Sequence, residues 1–220
     1  MTIEPIFRLI AAGLVAVALG QSPVLAQTPD AAAKPDMRIE DGLAEDILAD
    51  DSAPADEETH AKSEVDALLD ALAQAGDAET ASRIEQSVLQ AWLASGSDTI
   101  DLLMSRAVMA MEGKHYPLAM EILDSVIEMK PDYVEAWNKR ATLFYLIDDY
   151  DRSMRDITAT LAIEPRHFGA LSGMGLILQE VGQAKGALSA FRQALEVHPF
   201  LGNLRENVDE LEREVEGEEI

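Results

Sequence analysis

Residues 134–165 read VEAWNKRATLFYLIDDYDRSMRDITATLAIEP. Trp137, Ala141, Phe144 and Tyr145 recur at helical spacing, the polar pair Asp148-Asp149 interrupts them, and a second periodic stretch runs through Ile157 and Leu161 to Pro165. Apolar residues three and four apart draw one stripe along a helix, so the stretch reads as helix, turn, helix. Pro165 closes the second helix because it has no amide hydrogen to donate and disfavours helical geometry at the residue before it.

The same pattern returns on both sides. Pro131, Pro165 and Pro199 stand 34 residues apart. Stepping by that period aligns Leu103, Trp137 and Leu171, then the small residues Ala107, Ala141 and Gly175, then Ala119, Ser153 and Ala187. Leu123, Ile157 and Phe191 form a large apolar column, as do Ile127, Leu161 and Leu195. A unit this small cannot bury its own apolar face, so the copies at 100–133, 134–167 and 168–201 must stack on one another. Small residues mark the places where helix backbones approach closely and a larger side chain would overpack the contact.

These columns resemble the tetratricopeptide repeat (TPR), whose pattern is Trp-x2-Leu-Gly-x2-Tyr, then Ala-x3-Phe, then Pro. The third copy supplies Leu171-x2-Met174-Gly175-x2-Leu178, Ala187-x3-Phe191 and Pro199; the second supplies Trp137-x2-Arg140-Ala141-x2-Phe144, Ser153-x3-Ile157 and Pro165. The first supplies Leu103-x2-Arg106-Ala107-x2-Ala110, Ala119-x3-Leu123 and Pro131. The resemblance spans residues 100–199 and implies an all-α fold, a short α-solenoid of helix-turn-helix repeats with capping helices. Arg106 and Arg140 replace the usual Leu and are read as stems lying along the helix with solvated heads.

The resemblance also implies where a partner would bind, since in such arrays the first helix of each repeat lines the concave face. By position that face holds Met104, Val108 and Met111, then Asn138, Thr142 and Tyr145, then Ser172, Leu176 and Gln179. Relatives that clamp a terminal carboxylate use Lys, Arg and Asn at such positions. Here only Asn138 and the adjacent Lys139 fit, while Asp101 and Glu135 carry the opposite charge. Met and Leu suit an adaptable apolar groove instead.

The ends bound the array. Residues 1–26 carry one basic residue, Arg8, an apolar run from Leu9 to Leu19, and Val24-Leu25-Ala26 before Gln27, which reads as an export signal peptide with a small-residue cleavage site. Its apolar run is short for a bilayer span, and a retained membrane tether is the alternative. Residues 27–62 are rich in Asp, Glu, Ala and Pro and are read as an acidic disordered tether. Within it Ile39, Leu43 and Ile47 fall at i, i+4 and i+8, a stripe that can form an amphipathic helix when a partner supplies an apolar groove, the alternative being a transient helix in a linker. Residues 63–99 read as a diverged helical hairpin that turns at Gly76-Asp77 and is expected to shield the first repeat. Leu201, Leu204, Val208, Leu211 and Val215 place a polar-faced capping helix and acidic tail at 202–220.

With 41 acidic and 17 basic residues the chain carries a formal charge of −24, which repels nucleic acid and anionic membrane surfaces. It has no cysteine, hence no disulfide, thiol nucleophile or lipid-modified Cys. The four histidines, His60, His115, His167 and His198, are dispersed, and the last three sit at turns or helix ends, where solvation is expected. No zinc helix, nucleophile elbow, phosphate loop or dinucleotide fingerprint is present, so the reading is non-catalytic, with no cofactor and no metal. Together these readings describe a periplasmic or secreted protein-interaction adaptor or scaffold with a protein or peptide partner. The alternative is a structural, self-associating envelope component.

Overall fold

A computed structural model describes residues 54–202 and 204–218. The readings placed on residues 1–53, namely the signal peptide, most of the tether and the Ile39-Leu43-Ile47 stripe, lie outside the described residues. So do Asn203 and the last two residues of the acidic tail. Among the described residues the chain forms α1 (Pro54–Ala73), α2 (Ala78–Leu93), α3 (Asp98–Glu112), α4 (Tyr116–Met129) and α5 (Val134–Leu146). It continues through α6 (Tyr150–Ile163), α7 (Phe168–Glu180), α8 (Ala184–Val197) and α9 (Leu204–Glu218). The pairs α3/α4, α5/α6 and α7/α8 are the three repeats, each packed on the next.

The turn inside each repeat is set by one column. Lys114, Asp148 and Gly182 all take left-handed backbone, with φ of 58°, 59° and 73°. The next amide in each case reaches back to an early carbonyl: His115 to Ala110, Asp149 to Phe144 and Gln183 to Leu178, at 2.8, 2.9 and 2.8 Å. This is the Schellman closure, which satisfies carbonyls that a helix end leaves without partners. The turns between repeats follow from the prolines. Lys130, Glu164 and His198 precede them, terminate α4, α6 and α8, and are pushed out of helical geometry to ψ of 82°, 95° and 86°.

The repeat columns are the core. Ala107, Ala141 and Gly175 are buried, as are Ala119, Ser153 and Ala187, and Leu123, Ile157 and Phe191. Ser153 keeps its place in a column of alanines because its hydroxyl donates to the Ala141 carbonyl at 2.8 Å. At the far end α9 lies along α8, burying Leu204, Val208 and Leu211, while Arg192 meets Glu212 at 2.7 Å on the outside.

The N-terminal hairpin departs from expectation twice. Its first helix begins at Pro54, inside the segment read as tether, with the proline at a first helical position where its missing N–H is no loss. More consequentially, the hairpin does not stack on the first repeat. Gly96, at φ 76°, turns the chain after α2, and Asp101 pins that turn by accepting from the Ser95 amide at 3.0 Å. The hairpin then lies against α5 and α8. Leu69, Leu72, Ala81, Val88 and Trp92 share one core with Phe168, Leu171, Phe191 and Val197. The contacts fall on the turns between repeats: the Tyr133 hydroxyl donates to the Leu93 carbonyl at 2.8 Å, Trp92 stacks on His167 with centroids 4.2 Å apart, and His198 approaches Glu85 at 3.4 Å.

Candidate partner-binding face

A shallow notch opens where α5, α6 and α7 meet. Asn138, Thr142 and Tyr145 line it from α5, one turn apart on one face, and Gly169, Gly173 and Leu176 line it from α7. Gly173 supplies room: a Cβ there would meet only Ile157, at 3.5 Å, whereas one on Gly169, four residues earlier, would fall 3.2 Å from His167 Cε1. Most polar atoms at the rim are already engaged. Thr142 Oγ1 donates to the Asn138 carbonyl at 3.0 Å, and Asn138 Nδ2 donates to both carboxylate oxygens of Glu135 at 3.3 Å. The Tyr145 ring leans on Tyr150 with centroids 5.6 Å apart. Its phenol is pushed up to about 12 by burial and then by the carboxylate of Glu180, so it is neutral and keeps its proton. What the notch offers is an apolar floor with an aromatic edge.

Four of the nine residues implied by the resemblance, Asn138, Thr142, Tyr145 and Leu176, therefore meet at one place. The others do not. Met104 is buried in the core between α3, α4 and α5, and Ser172 is buried with its hydroxyl donating to the Phe168 carbonyl at 2.8 Å. Val108 and Met111 are half-buried on α3, and Gln179 is exposed near the end of α7, all three outside the notch. Gly169 and Gly173 were not singled out from the sequence; their spacing of four on a repeat's first helix is the signal that carries them.

The charged groups beside the notch are spent internally. Glu135 is 2% exposed, yet Lys139 Nζ lies 3.3 Å from it and His167 Nε2 lies 3.1 Å away. Burial alone would push this carboxyl up; the Lys139 ammonium, then the His167 hydrogen bond, outweigh it and hold the group well below the usual carboxylate range. The His167 tautomer follows from its partners: Nδ1 accepts from the Ala170 amide at 3.0 Å, so the proton sits on Nε2 and is donated to Glu135. Lys139 is thus already paired, and a carboxylate clamp has no free cation here.

Three sequence readings are corrected by burial. His167 and His198 are 1% and 2% exposed rather than solvated, because the hairpin covers the turns that carry them. Arg140 does not hold a solvated head. It lies over Trp137 at 5.0 Å and forks onto Asp156 through Nε at 2.7 Å and Nη2 at 2.9 Å, while Nη1 reaches Asp124 of the preceding repeat at 2.7 Å. The bidentate pair with Asp156 fixes the guanidinium within its own repeat, and the bond to Asp124 ties that repeat to the one before it. Among the described residues no group of three or more His, Asp or Glu is placed to hold a metal ion, and no helix is long and apolar enough to cross a membrane.

Helix pairs of this length, joined by a left-handed turn within each repeat and a proline turn between repeats, define an α-solenoid of tetratricopeptide type. The chain belongs to the tetratricopeptide repeat family: a TPR repeat-containing protein of Rhizobium etli is 42% identical over 156 residues, covering 71% of this chain and 76% of that protein. The small glutamine-rich tetratricopeptide repeat-containing protein 2 of Saccharomyces cerevisiae is 26% identical over 88 residues, 40% of this chain and 25% of that protein. No protein-family model matches the chain. Among solved structures, the Sgt2 TPR domain from Aspergillus fumigatus superposes with a TM-score of 0.50 at 20% identity, covering 55% of this chain and 81% of that one. The Arabidopsis OM64 TPR domain does so with a TM-score of 0.50 at 19% identity over 53% and 96%. The first TPR of Spaghetti (RPAP3), bound to the HSP90 peptide SRMEEVD, gives 0.50 at 13% identity over 53% and 92%. These likenesses establish the fold.

Proposed function

We propose that the protein is a non-catalytic adaptor that binds a segment of a partner protein on its concave face, at the notch between α5 and α7. The observation that carries this reading is the notch itself, an apolar floor made by Gly169, Gly173 and Leu176 with Thr142 and Tyr145 at its edge. The RPAP3 domain, alike in fold, holds a peptide, which supports a peptide-sized occupant. With Lys139 committed to Glu135, the partner is held through an apolar side chain rather than a terminal carboxylate. Residues 1–26, read as an export signal, support a place in the bacterial cell envelope, periplasmic or secreted.

Crosslinking of the chain in its native envelope, followed by purification, recovers a partner. Thr142→Trp, which fills the notch from its half-buried edge, reduces that recovery at least about tenfold, the loss of roughly 1.4 kcal/mol or more. Equal recovery by the Thr142→Trp variant removes the notch as the site, and no recovered partner removes the adaptor reading. Detection of Gln27 as the mature N-terminus tests the export reading separately.

A further inference from the structure

We propose that the open face of the first repeat is the docking site for this chain's own segment 39–47. The repeats themselves say what such a face takes. On α5, Ala136 and Leu143 are buried in one cluster with Ile127 of α4, the second helix of the preceding repeat, and half-buried Met120 of α4 packs against that cluster. On α7, Ala170 and Ile177 are buried, with half-buried Met154 and Leu161 of α6 packed against their cluster in the same way. The matching residues of α3 are Leu102 and Met109, and they stand 53% and 65% exposed, because the N-terminal hairpin that would be expected over them lies on the later repeats instead. The residue between them repeats as well. Arg140 on α5 reaches Asp124 on the helix that covers it, whereas its counterpart Arg106 is exposed and has no ion-pair partner among the described residues. The face therefore takes a helix with an apolar stripe and carboxylates beside it.

Segment 39–47 has that chemistry: Ile39, Leu43 and Ile47 form a stripe at i, i+4 and i+8, and Glu40, Asp41, Glu45 and Asp46 flank it. The chain path brings it near. The middle of α2 faces His198 through Glu85 and its end meets Tyr133 and His167, so it runs from the third repeat toward the turns that flank the second. Its hairpin partner α1 packs on α2 and runs the opposite way, which directs the N-terminal end of α1 toward the first repeat. Residues 48–53 then add a reach of up to about 20 Å. Tethered this closely, a weak contact gains a millimolar-scale effective concentration.

Peroxide oxidation of Met109 in the full-length chain, followed by peptide mass spectrometry, reads the coverage directly. Met109 oxidises at least about fivefold faster in the Ile39→Asp/Leu43→Asp/Ile47→Asp variant than in the unaltered chain, and Arg106→Glu gives an increase in the same direction. The triple variant alters only residues outside the described fold. Equal rates in the unaltered chain and the triple variant overturn the proposal. Protection that grows with protein concentration overturns it in favour of a second copy on the same face.

Discussion

At the residue scale the third repeat shows how one position compensates for another. The small column reads Ala107, Ala141, Gly175 and the large column opposite reads Leu123, Ile157, Phe191, so the one aromatic ring meets the one glycine. A Cβ on Gly175 would fall 2.2 Å from Phe191 Cε1 and 2.3 Å from Cδ1, inside any real contact. Gly175→Ala should therefore destabilise the protein by about 1–3 kcal/mol through overpacking, even though alanine favours a helix over glycine by about 1 kcal/mol. Combined with Phe191→Leu, the joint loss should be smaller than the sum of the single losses by at least about 1 kcal/mol. Urea denaturation of the four proteins measures this, and strict additivity would mean the ring gives way freely. The column itself is legible in the sequence. The fate of His167, His198 and Arg140 is not: polar residues at turns and on a helix face read as solvated until another segment covers them.

At the element scale the question is what holds the hairpin on the repeats. Two contacts compete for the role. Arg166 meets Asp66 at 2.5 Å and Asp70 at 2.6 Å, but those side chains are 47% and 67% exposed and water screens both pairs. Exposed pairs of this kind contribute about 0–1 kcal/mol. Trp92, buried against the His167 and Phe168 rings, contributes more. Trp92→Ala should cost about 3–5 kcal/mol and Arg166→Ala under about 1 kcal/mol, compared by chemical denaturation in the same buffer. A larger loss from the arginine change would assign the attachment to charge. The two helices and their Gly76-Asp77 turn can be read from the sequence, since Asp77 caps α2 by accepting from the Thr80 amide at 2.8 Å. The surface they bury against cannot.

At the scale of the whole molecule the hairpin makes the array less one-dimensional than a repeat protein usually is. In a simple solenoid each unit contacts only its neighbours; here residue 66 reaches residue 166 and Leu93 reaches Tyr133. A chain beginning at residue 95 should therefore lose amide protection chiefly in α7 and α8, the later repeats the hairpin covers, with α3 and α4 affected less. Hydrogen exchange read by mass spectrometry separates this from loss centred on the first repeat, the outcome that end-on capping would give. Of the candidate face, the α5 residues were legible because they fall at fixed positions of a repeat, whereas Met104 and Ser172 share those positions and are buried by neighbours particular to this chain.

The sequence by itself determined the helices, the turns, the proline punctuation and the order of the three repeats. Those features rest on local backbone chemistry and on contacts between adjacent units, which a 34-residue period writes into the chain. Only the tertiary structure decided where the N-terminal hairpin lies, which histidines are buried, and which end of the array the described helices leave uncovered. An apolar stripe announces that a helix will be buried but carries no address; the surface that receives Trp92 is assembled from turns far along the chain, and it exists only once the repeats have stacked.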